Sequence, residues 1–460
     1  MSGRDFDLIC LGSGPAGQRA AVQAAKLGKR AVVVERRPVL GGVALETGTI
    51  PSKTLREAVL ALSQDPLGRR GRVPRAQPSA EQLGARIHQV VSREGAVIEH
   101  QLLRNGVEVI RGEGAFRDPN TVAVRTDGGW RTITAGHVLI AVGTRPALAP
   151  AGATGLVITS DGILPLERLP RTMAVVGAGV IGIEYASIFA ALGVEVTVVD
   201  RRERVLEFLD REIVDELVHQ MRSRDVIFRL GEAVERLDAT AGPPRRAVLV
   251  LESGKRIVSE RVLFCVGRQG ATDALNLEAA GLAADARGRL RVDERFRTAV
   301  PHILAAGDVI GFPSLAATSS QQGRLAACYA FGAPAGAMAA DFPVGIYAIP
   351  EISMVGRTEE ELTRDRVPYE VGLARYREIA RGQILGDDTG LFKMLFHRES
   401  RRLLGAHAIG THATELIHVA HAVLAHGGGL DYFLDAVFNY PTLAECYKVA
   451  ALDAANRLAL

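Results

Sequence analysis

The amino-acid sequence predicts an α/β fold that contains two copies of one βαβ unit. Residues 6–12 (FDLICLG) and 173–177 (MAVVG) are apolar runs typical of buried parallel strands. Each run enters a glycine-rich turn, continues into a helix pattern and ends in a second apolar strand. The chain has 460 residues, which at roughly 100 to 200 residues per domain corresponds to about three domains.

The two glycine-rich turns have the spacing of dinucleotide-binding turns. They read GSGPAG at 12–17 and GAGVIG at 177–182. The first glycine makes the tight bend, the second lets backbone N–H groups approach a pyrophosphate, and the third lets the helix pack on the strand. Glu35 and Asp200 end the second strand of each unit, both 23 residues after the first glycine (12 to 35 and 177 to 200). Glycine turns of an unrelated α/β fold are the alternative for either motif alone, but the pair predicts two dinucleotide sites.

The acids at the two strand ends indicate which nucleotides bind. Glu35 suits the adenosine ribose of FAD, so the second unit is expected to hold the nicotinamide nucleotide. A strand-end acid favours NAD because it repels the 2′-phosphate of NADP, whereas cations at this position favour NADP. Arg201 and Arg202 follow Asp200 directly, and this combination of an acceptor with cations suits a site for both NAD and NADP. A charged turn after a strand is the alternative explanation.

The charge balance gives no indication of a nucleic-acid or membrane partner. Lys and Arg number 55, Asp and Glu number 52, and the formal net charge is +3. This near balance does not indicate a nucleic-acid-binding or membrane-surface protein. No apolar run approaches the roughly 18 residues needed to span a bilayer, and the first residues lack a secretory apolar region. We therefore expect no nucleic-acid partner, no membrane association and a cytoplasmic location.

The cysteines and histidines do not predict a metal site. The four cysteines form no CxxC motif, which excludes the usual zinc spacing and a local redox pair. Five histidines lie between residues 407 and 426, but neither HExxH nor a Cys/His cluster is present, and no metal is expected. The residues concerned are Cys10, Cys265, Cys328, Cys446, His407, His412, His418, His421 and His426.

Further motifs occur in the order that they have in one known family. AVGTRP at 141–146 follows a strand, FCVGR at 264–268 is a similar later segment, and TAVPHILAAGD at 298–308 ends in Gly-Asp. With the two GxGxxG turns and the segment from Phe342 onward, they make the chain resemble the pyridine nucleotide-disulfide oxidoreductases over essentially its whole length. A strand followed by Gly-Asp is a common turn by itself, but the shared order favours the resemblance.

The resemblance implies an α/β architecture of two Rossmann-like dinucleotide-binding domains, for FAD and NAD(P), and a C-terminal α+β dimerisation domain. The boundaries expected are 1–150 with 273–341 for FAD, 151–272 for NAD(P) and 342–460 for dimerisation, in a homodimer or larger homo-oligomer. The implied cofactor-binding residues are Gly12, Gly14, Pro15, Ala16, Gly17, Glu35, Gly42, Thr49, Lys53, Gly143, Thr144, Gly177, Gly179, Val180, Ile181, Gly182, Glu184, Asp200, Arg201, Arg202, Gly267, Arg268, Gly307, Asp308, Leu315, Ala316 and Thr318.

The segment before residues 50–53 (IPSK) departs from the family pattern. Disulfide reductases of this family carry a CxxxxC pair there, whereas this chain has Ala44 and Thr49. Neither side chain supplies the thiolate that disulfide exchange requires. Tyr440 stands where the family has its acid–base histidine, and the ordinary pKa of a tyrosine is about 10 rather than about 6.5. The two replacements exclude disulfide reduction.

One branch of the family, the soluble (Si-specific) NAD(P) transhydrogenases, is similar at GTIPSK (48–53) and FNYPT (438–442). That branch usually keeps the first cysteine, where this chain has Ala44. The resemblance implies a ping-pong reaction in which NADPH passes a hydride to flavin N5 and leaves, and NAD then takes the hydride. Lys53 and Glu184 are the implied catalytic residues, as an ion pair beside N5 that positions nicotinamide and biases N5 through its field.

Other interpretations stay open at this point. Lys53 as a solvated residue of a first helical turn is disfavoured by the helix dipole, and Glu184 as a helix-surface carboxylate is the corresponding alternative. An NAD(P)H diaphorase or quinone reductase would use the same flavin with a small electron acceptor. A non-catalytic flavoprotein sensor would need neither cysteine, but the intact nucleotide motifs argue against it.

Overall fold

The computed structural model describes residues 3–63, 79–149, 155–163 and 168–459. Two Rossmann-like sheets and a C-terminal antiparallel sheet organise these residues, which confirms the predicted fold class. The predicted boundary between residues 150 and 151 lies outside the described residues, and the domain limits stay predictions.

The helices and strands follow one another in four stretches of chain. The first contains β1 (Phe6–Leu11), α1 (Pro15–Lys26), β2 (Ala31–Glu35), α2 (Gly42–Glu46), α3 (Thr49–Ser63), α4 (Ala80–Arg104), β3 (Glu108–Arg111), β4 (Glu113–Asp118), β5 (Thr121–Thr126), β6 (Gly129–Ile140) and β7 (Thr144–Pro146). The second contains β8 (Val157–Ile158), β9 (Thr172–Val176), α5 (Val180–Ala191), β10 (Glu195–Asp200), α6 (Arg211–Arg222), β11 (Ile227–Leu230), β12 (Val234–Ala239), β13 (Ala247–Leu251), β14 (Arg256–Ser259) and β15 (Arg261–Phe264).

The third stretch contains β16 (Arg268–Gly270), β17 (Ile303–Ala305) and α7 (Ala316–Ala330). The fourth contains β18 (Val344–Ile346), β19 (Ile352–Gly356), α8 (Glu359–Arg364), β20 (Tyr369–Arg375), α9 (Ala380–Leu385), β21 (Leu391–His397), β22 (Leu403–Ile409), α10 (Ala413–Ala425), α11 (Leu430–Asp435) and α12 (Glu445–Leu458).

The two βαβ units have the same internal arrangement. In the first sheet β1 pairs in parallel with β2 and β6, and in the second β9 pairs in parallel with β10 and β15. Central parallel strands are covered on both faces, which is why β2 (AVVVE) is buried along its whole length. The carboxyl ends of β1 and β9 lie at the position where open α/β sheets bind nucleotides.

Residues from later in the chain complete the first sheet. β17 pairs in parallel with β6, and α7 packs along α1. A short antiparallel pairing of β7 with β16 joins the points where the chain leaves the first unit and returns to it. The first unit is therefore built from two separate stretches of sequence, with the second unit between them.

The C-terminal part is an antiparallel sheet with helices against it. The strand order is β18-β19-β22-β21-β20, α12 packs on β20, and α10 packs on β22 and β19. Its core contains Phe392, Phe433 and Tyr447 at 0 % exposure. Among the described residues, no helix has both the length and the apolar character that crossing a membrane requires.

Candidate active site

A cavity of about 700 Å³ lies between the first unit, the second unit and the C-terminal sheet. Its volume falls in the usual range of roughly 300 to 1,000 Å³ for small-molecule and cofactor sites. Glycine turns, the start of α3, the start of α5 and the strand β18 all contribute to its wall. The cavity therefore collects motifs that are far apart in the sequence.

The first glycine turn is shaped by contacts that a side chain would block. Gly12 has a φ of +105°, which favours glycine, and an added Cβ would lie 2.5 Å from the carbonyl oxygen of Ala141. A Cβ on Gly17 would lie 1.9 Å from the carbonyl oxygen of Gly12, so α1 packs closely on β1. Gly14, at the N-terminal end of α1, lines the cavity and has open space beside it. The free N–H groups of this helix end suit a pyrophosphate.

Glu35 lines the cavity as a buried carboxylate with 5 % exposure. Its Oε2 accepts hydrogen bonds from the N–H and the hydroxyl of Ser13, at 2.8 and 2.6 Å, and Oε1 accepts one from the N–H of Arg37 at 2.9 Å. A carboxylate offers about four acceptor positions, so one remains on Oε1. A ribose hydroxyl is a suitable donor for it.

Asp308 lies in the cavity wall with few hydrogen bonds of its own. Thr144 and Ser319 donate to its two oxygens at 3.5 Å each, which is long for a hydroxyl donor. Burial raises the pKa of Asp308, and the nearby Arg268 guanidinium opposes that shift. A partly desolvated carboxylate facing a cavity is suited to receive hydroxyl donors from a ligand.

These three features fit FAD. Glycine backbone at a helix N-terminus matches the pyrophosphate, Glu35 matches the adenosine ribose, and Asp308 matches the ribityl hydroxyls. A Cβ on Gly42 would lie 3.0 Å from Cα of Gly14, so two glycine backbones lie close together in the cavity wall. The donor set of the cavity is thus compatible with a flavin dinucleotide.

An ion pair links the first unit to the second at the cavity wall. Lys53 Nζ, on α3, lies 2.9 and 2.7 Å from the two carboxylate oxygens of Glu184, on α5. The N–H of Tyr347 donates to Glu184 Oε1 at 2.8 Å, and the Tyr347 ring centroid is 4.9 Å from Lys53 Nζ. The structure therefore brings the two predicted catalytic side chains together and adds a third residue to them.

The positions of the missing cysteines lie at the same cavity. Ala44 is within α2, Thr49 begins α3, and both line the cavity. Tyr440 is 70 % exposed on the C-terminal part of the chain. All four cysteines are free. Burial raises the pKa of Cys10, Cys265 and Cys446, so these three thiols are not activated.

The second glycine turn repeats the geometry of the first, but its three glycines lie outside the cavity. Gly177 has a φ of +108°, and a Cβ there would lie 2.5 Å from the carbonyl oxygen of Cys265. The N–H of Ala178 donates to Asp200 Oδ2 at 2.6 Å, and Arg202 donates to Asp200 from its backbone and its guanidinium. Burial alone would raise the pKa of Asp200, but these hydrogen bonds hold it below its ordinary value.

The predicted cofactor-binding residues divide between the cavity wall and positions away from it. Those in the wall are Gly12, Gly14, Pro15, Ala16, Glu35, Gly42, Thr49, Lys53, Gly143, Thr144, Val180, Ile181, Glu184, Arg268, Gly307, Asp308, Leu315 and Ala316. Those outside it are Gly17, Gly177, Gly179, Gly182, Asp200, Arg201, Arg202, Gly267 and Thr318. Thr318 is buried, and its hydroxyl donates to the carbonyl oxygens of Leu315 and Pro313, which directly precede α7.

Two residues of the site were not identified from the sequence. Ser13 makes two hydrogen bonds to Glu35, and its position between two motif glycines was the available signal. Tyr347 reaches the Lys53–Glu184 pair only because the C-terminal sheet packs on α5, and no local pattern marks it. Arg268 was predicted from its motif, and its guanidinium donates to Thr144 Oγ1 at 2.8 Å across the junction of the two units.

Comparisons with known proteins agree with this architecture. The profile of the family described as pyridine nucleotide-disulphide oxidoreductase matches residues 6–323, and that of its dimerisation domain matches residues 342–451. A soluble pyridine nucleotide transhydrogenase of Mycobacterium tuberculosis (strain ATCC 25177 / H37Ra) is 52% identical over 465 residues, with 99% of this chain and 98% of the relative covered. A protein of the same name from Marinomonas sp. (strain MWYL1) is 43% identical over 475 residues and covers 100% of both chains.

Solved structures share the whole architecture. The HOCl-induced flavoprotein disulfide reductase RclA from Escherichia coli has a TM-score of 0.88 and 26% identity, covering 97% of this chain and 99% of its own. LpdA from Mycobacterium tuberculosis gives the same identity, TM-score and coverage. The likeness extends over both Rossmann-like units and the C-terminal sheet.

Proposed function

Because the chain belongs to the pyridine nucleotide-disulphide oxidoreductase family, we propose from its site that it is a pyridine nucleotide transhydrogenase. It transfers a hydride from NADPH to NAD, with FAD as the resident cofactor. The observation that carries this function is the Lys53–Glu184 ion pair at a cavity where Ala44 and Thr49 stand in place of a redox disulfide. The names of relatives at 52% and 43% identity support it.

The chain's own residues supply the binding groups for FAD. The turn around Gly14 would hold the pyrophosphate, Glu35 would accept a hydrogen bond from a ribose hydroxyl, and Asp308 would accept hydrogen bonds from the ribityl hydroxyls. When bound, FAD supplies a two-electron carrier that accepts a hydride from one nicotinamide and donates it to another. Because one position serves both nucleotides, NADPH and NAD react in turn rather than together.

The ion pair sets the local field at the reacting end of the cavity. Glu184 is held on both oxygens by Lys53 and on one by the N–H of Tyr347. These fixed contacts place the Lys53 ammonium at a defined point, where it orients nicotinamide and stabilises negative charge during transfer. Preformed contacts of this kind need no rearrangement at the moment of reaction.

The same site argues against disulfide reduction. No thiol is present at Ala44 or Thr49, and Tyr440 replaces the acid–base histidine. In the proposed reaction, hydride transfer to the flavin and hydride transfer from the flavin are the two half-reactions. They are the same chemistry in opposite directions. Since the NAD and NADP couples have nearly equal potentials, the direction follows the ratios of the nucleotides.

The protein is a homodimer in this proposal, because residues 342–451 match a dimerisation domain. We place it in the cytoplasm, where both nucleotides are available, and the relatives that carry the word soluble in their names support that location.

One assay tests the function. Purified FAD-loaded protein is mixed with NADPH and either a thio-analogue of NAD, a quinone or lipoamide. We expect rapid reduction of thio-NAD, slower reduction of quinone and no reduction of lipoamide. Rapid quinone reduction with negligible thio-NAD turnover would instead identify a quinone reductase and overturn the proposal.

A further inference from the structure

The two βαβ units end in the same three-residue pattern. The first has Glu35-Arg36-Arg37 and the second has Asp200-Arg201-Arg202. In each, the acid accepts a backbone hydrogen bond from the residue after the first motif glycine, at 2.8 Å in the first unit and 2.6 Å in the second. Each acid also accepts one from the N–H of the second arginine, at 2.9 and 2.8 Å. The backbones are therefore equivalent.

The side chains of the two second arginines go to different partners. The Arg37 guanidinium pairs with Glu46, on α2, and leaves Glu35 to other donors. The Arg202 guanidinium folds back on its own acid, with Nε 3.0 Å from Asp200 Oδ1 and Nη2 2.7 Å from Oδ2. Comparison of the two units therefore shows that the guanidinium–acid pairing at the strand end is specific to the second unit.

This pairing fills the acceptor positions of Asp200. Oδ1 accepts hydrogen bonds from the backbone N–H and from Nε of Arg202. Oδ2 accepts hydrogen bonds from the N–H of Ala178 and from Nη2 of Arg202. A carboxylate has about four acceptor positions, so the two hydroxyls of an adenosine ribose find no free lone pair. Withdrawal of the guanidinium would free one acceptor position on each oxygen. Two free positions match the two hydroxyls of the adenosine ribose of NAD.

The paired state suits a phosphate instead. An arginine has five N–H donors, two are used on Asp200, and three remain. The pair is neutral overall, so Asp200 does not repel a 2′-phosphate as an unpaired carboxylate would. Arg201 is exposed, makes no ion pair with any described residue and adds a second cation next to the pair.

Burial shows which partner can move. The Arg202 side chain is 41 % exposed, whereas that of Asp200 is 6 % exposed. The arginine can rotate into solvent while the acid stays fixed by Ala178. The hydrogen bonds to Asp200 also raise the pKa of Arg202, so the guanidinium keeps its charge in both positions.

We propose that the Arg202–Asp200 pair is the switch that lets one site bind both nucleotides. With Arg202 closed on Asp200 the site takes the 2′-phosphate of NADP, and with Arg202 swung into solvent Asp200 takes the two ribose hydroxyls of NAD. The switch rests on the proposed function, since it assumes that both nucleotides use the second unit.

The test uses two nucleotide fragments that lack nicotinamide and differ only in one phosphate, ADP-ribose and 2′-phospho-ADP-ribose. Each is titrated by calorimetry into the FAD-loaded wild type and into Arg202→Ala. We expect the variant to bind 2′-phospho-ADP-ribose about tenfold more weakly and ADP-ribose severalfold more tightly. Because no hydride transfer is involved, the result is independent of whether thio-NAD is reduced.

Arg201→Ala is the matched control, because it removes the same charge without freeing Asp200. It should weaken 2′-phospho-ADP-ribose and leave ADP-ribose binding unchanged. Equal changes for both fragments in Arg202→Ala, or the same gain for ADP-ribose in Arg201→Ala, would overturn the switch.

Discussion

The ammonium of Lys53 bridges both oxygens of Glu184 and so joins two residues that are 131 positions apart in the chain. The Glu184 side chain is 5 % exposed and that of Lys53 is 24 % exposed. Removal of either partner would leave the other charge poorly compensated in a region with little water. The pair is therefore sensitive to substitution on either side.

Lys53→Met should slow reduction of the bound flavin by NADPH about 10- to 100-fold, because a charge fixed at the reacting end of the cavity is lost. Stopped-flow absorbance of the flavin measures this half-reaction directly. Lys26→Met, an exposed lysine in the last turn of α1, is the matched control and should react at the wild-type rate. An unchanged rate in Lys53→Met with full flavin content would contradict the role given to the pair.

The sequence predicted the strands of both βαβ units closely because buried parallel strands are contiguous apolar runs. β2 is the predicted AVVVE strand without change, and β1 covers Phe6–Leu11 of the predicted 6–12. The glycine turns were predictable for a similar reason, since only glycine tolerates the contacts at Gly12 and Gly177.

Long side chains could not be placed in this way. Arg37 and Arg202 occupy equivalent positions in near-identical patterns, yet one reaches Glu46 and the other Asp200. Arg37 meets the carboxylate that α2 supplies at Glu46, whereas Arg202 turns back on the acid of its own strand. Tyr347 is a similar case, because its contact with Glu184 depends on how the C-terminal sheet packs on α5.

Ala44→Cys combined with Thr49→Cys should not give efficient lipoamide reduction. The double variant restores two thiols but not the group that protonates the leaving thiolate, since Tyr440 remains. Acid–base catalysis typically contributes about 100-fold or more, so adding Tyr440→His should raise NADH-dependent lipoamide turnover by about that factor over the double variant. Robust turnover in the double variant alone would show that the tyrosine does not limit this chemistry.

Lys393→Met should destabilise the protein strongly. Lys393 is completely buried, and its ammonium lies among Asp210, Glu212 and Glu359, an acidic group that could otherwise hold a cation. Burial alone would lower the pKa of Lys393, but the carboxylates raise it above its ordinary value. The favourable charge is therefore present at neutral pH and is lost only as the pH rises above about 10.4 and through the folded pKa.

Loss of one partner of a buried ion pair costs about 3 to 5 kcal/mol, which for domains of this size corresponds to a Tm lower by about 10 °C. Thermal unfolding followed by circular dichroism measures the change. Lys255→Met removes an exposed lysine paired with Glu232 and should lower the Tm by no more than about 2 °C. Similar Tm values for the two variants would refute the role of Lys393.

Acidification from pH 7.5 to 5.0 should lower the Tm, and part of this loss should come from His407. His407 is 1 % exposed, its Nε2 lies 2.9 Å from the carbonyl oxygen of Arg357, and its Nδ1 has no hydrogen-bond partner among the described residues. Burial lowers the pKa of His407, although Asp210 opposes the shift. The unfolded chain therefore binds a proton at a higher pH than the folded chain does.

Stability from the neutral ring is complete above the unfolded pKa of about 6.5 and falls as the pH decreases toward the folded pKa. Asp210 does not contribute to the decrease in Tm between pH 7.5 and 5.0. Because its pKa is lowered in the folded state, the stability that it contributes is lost only below about pH 3.9. His407→Gln keeps a donor for the Arg357 carbonyl and removes the titration, so its Tm should fall by several degrees less than that of the wild type. His426→Gln, at an exposed position, should retain the full decrease, and an equally large decrease in His407→Gln would assign the acid sensitivity to other groups.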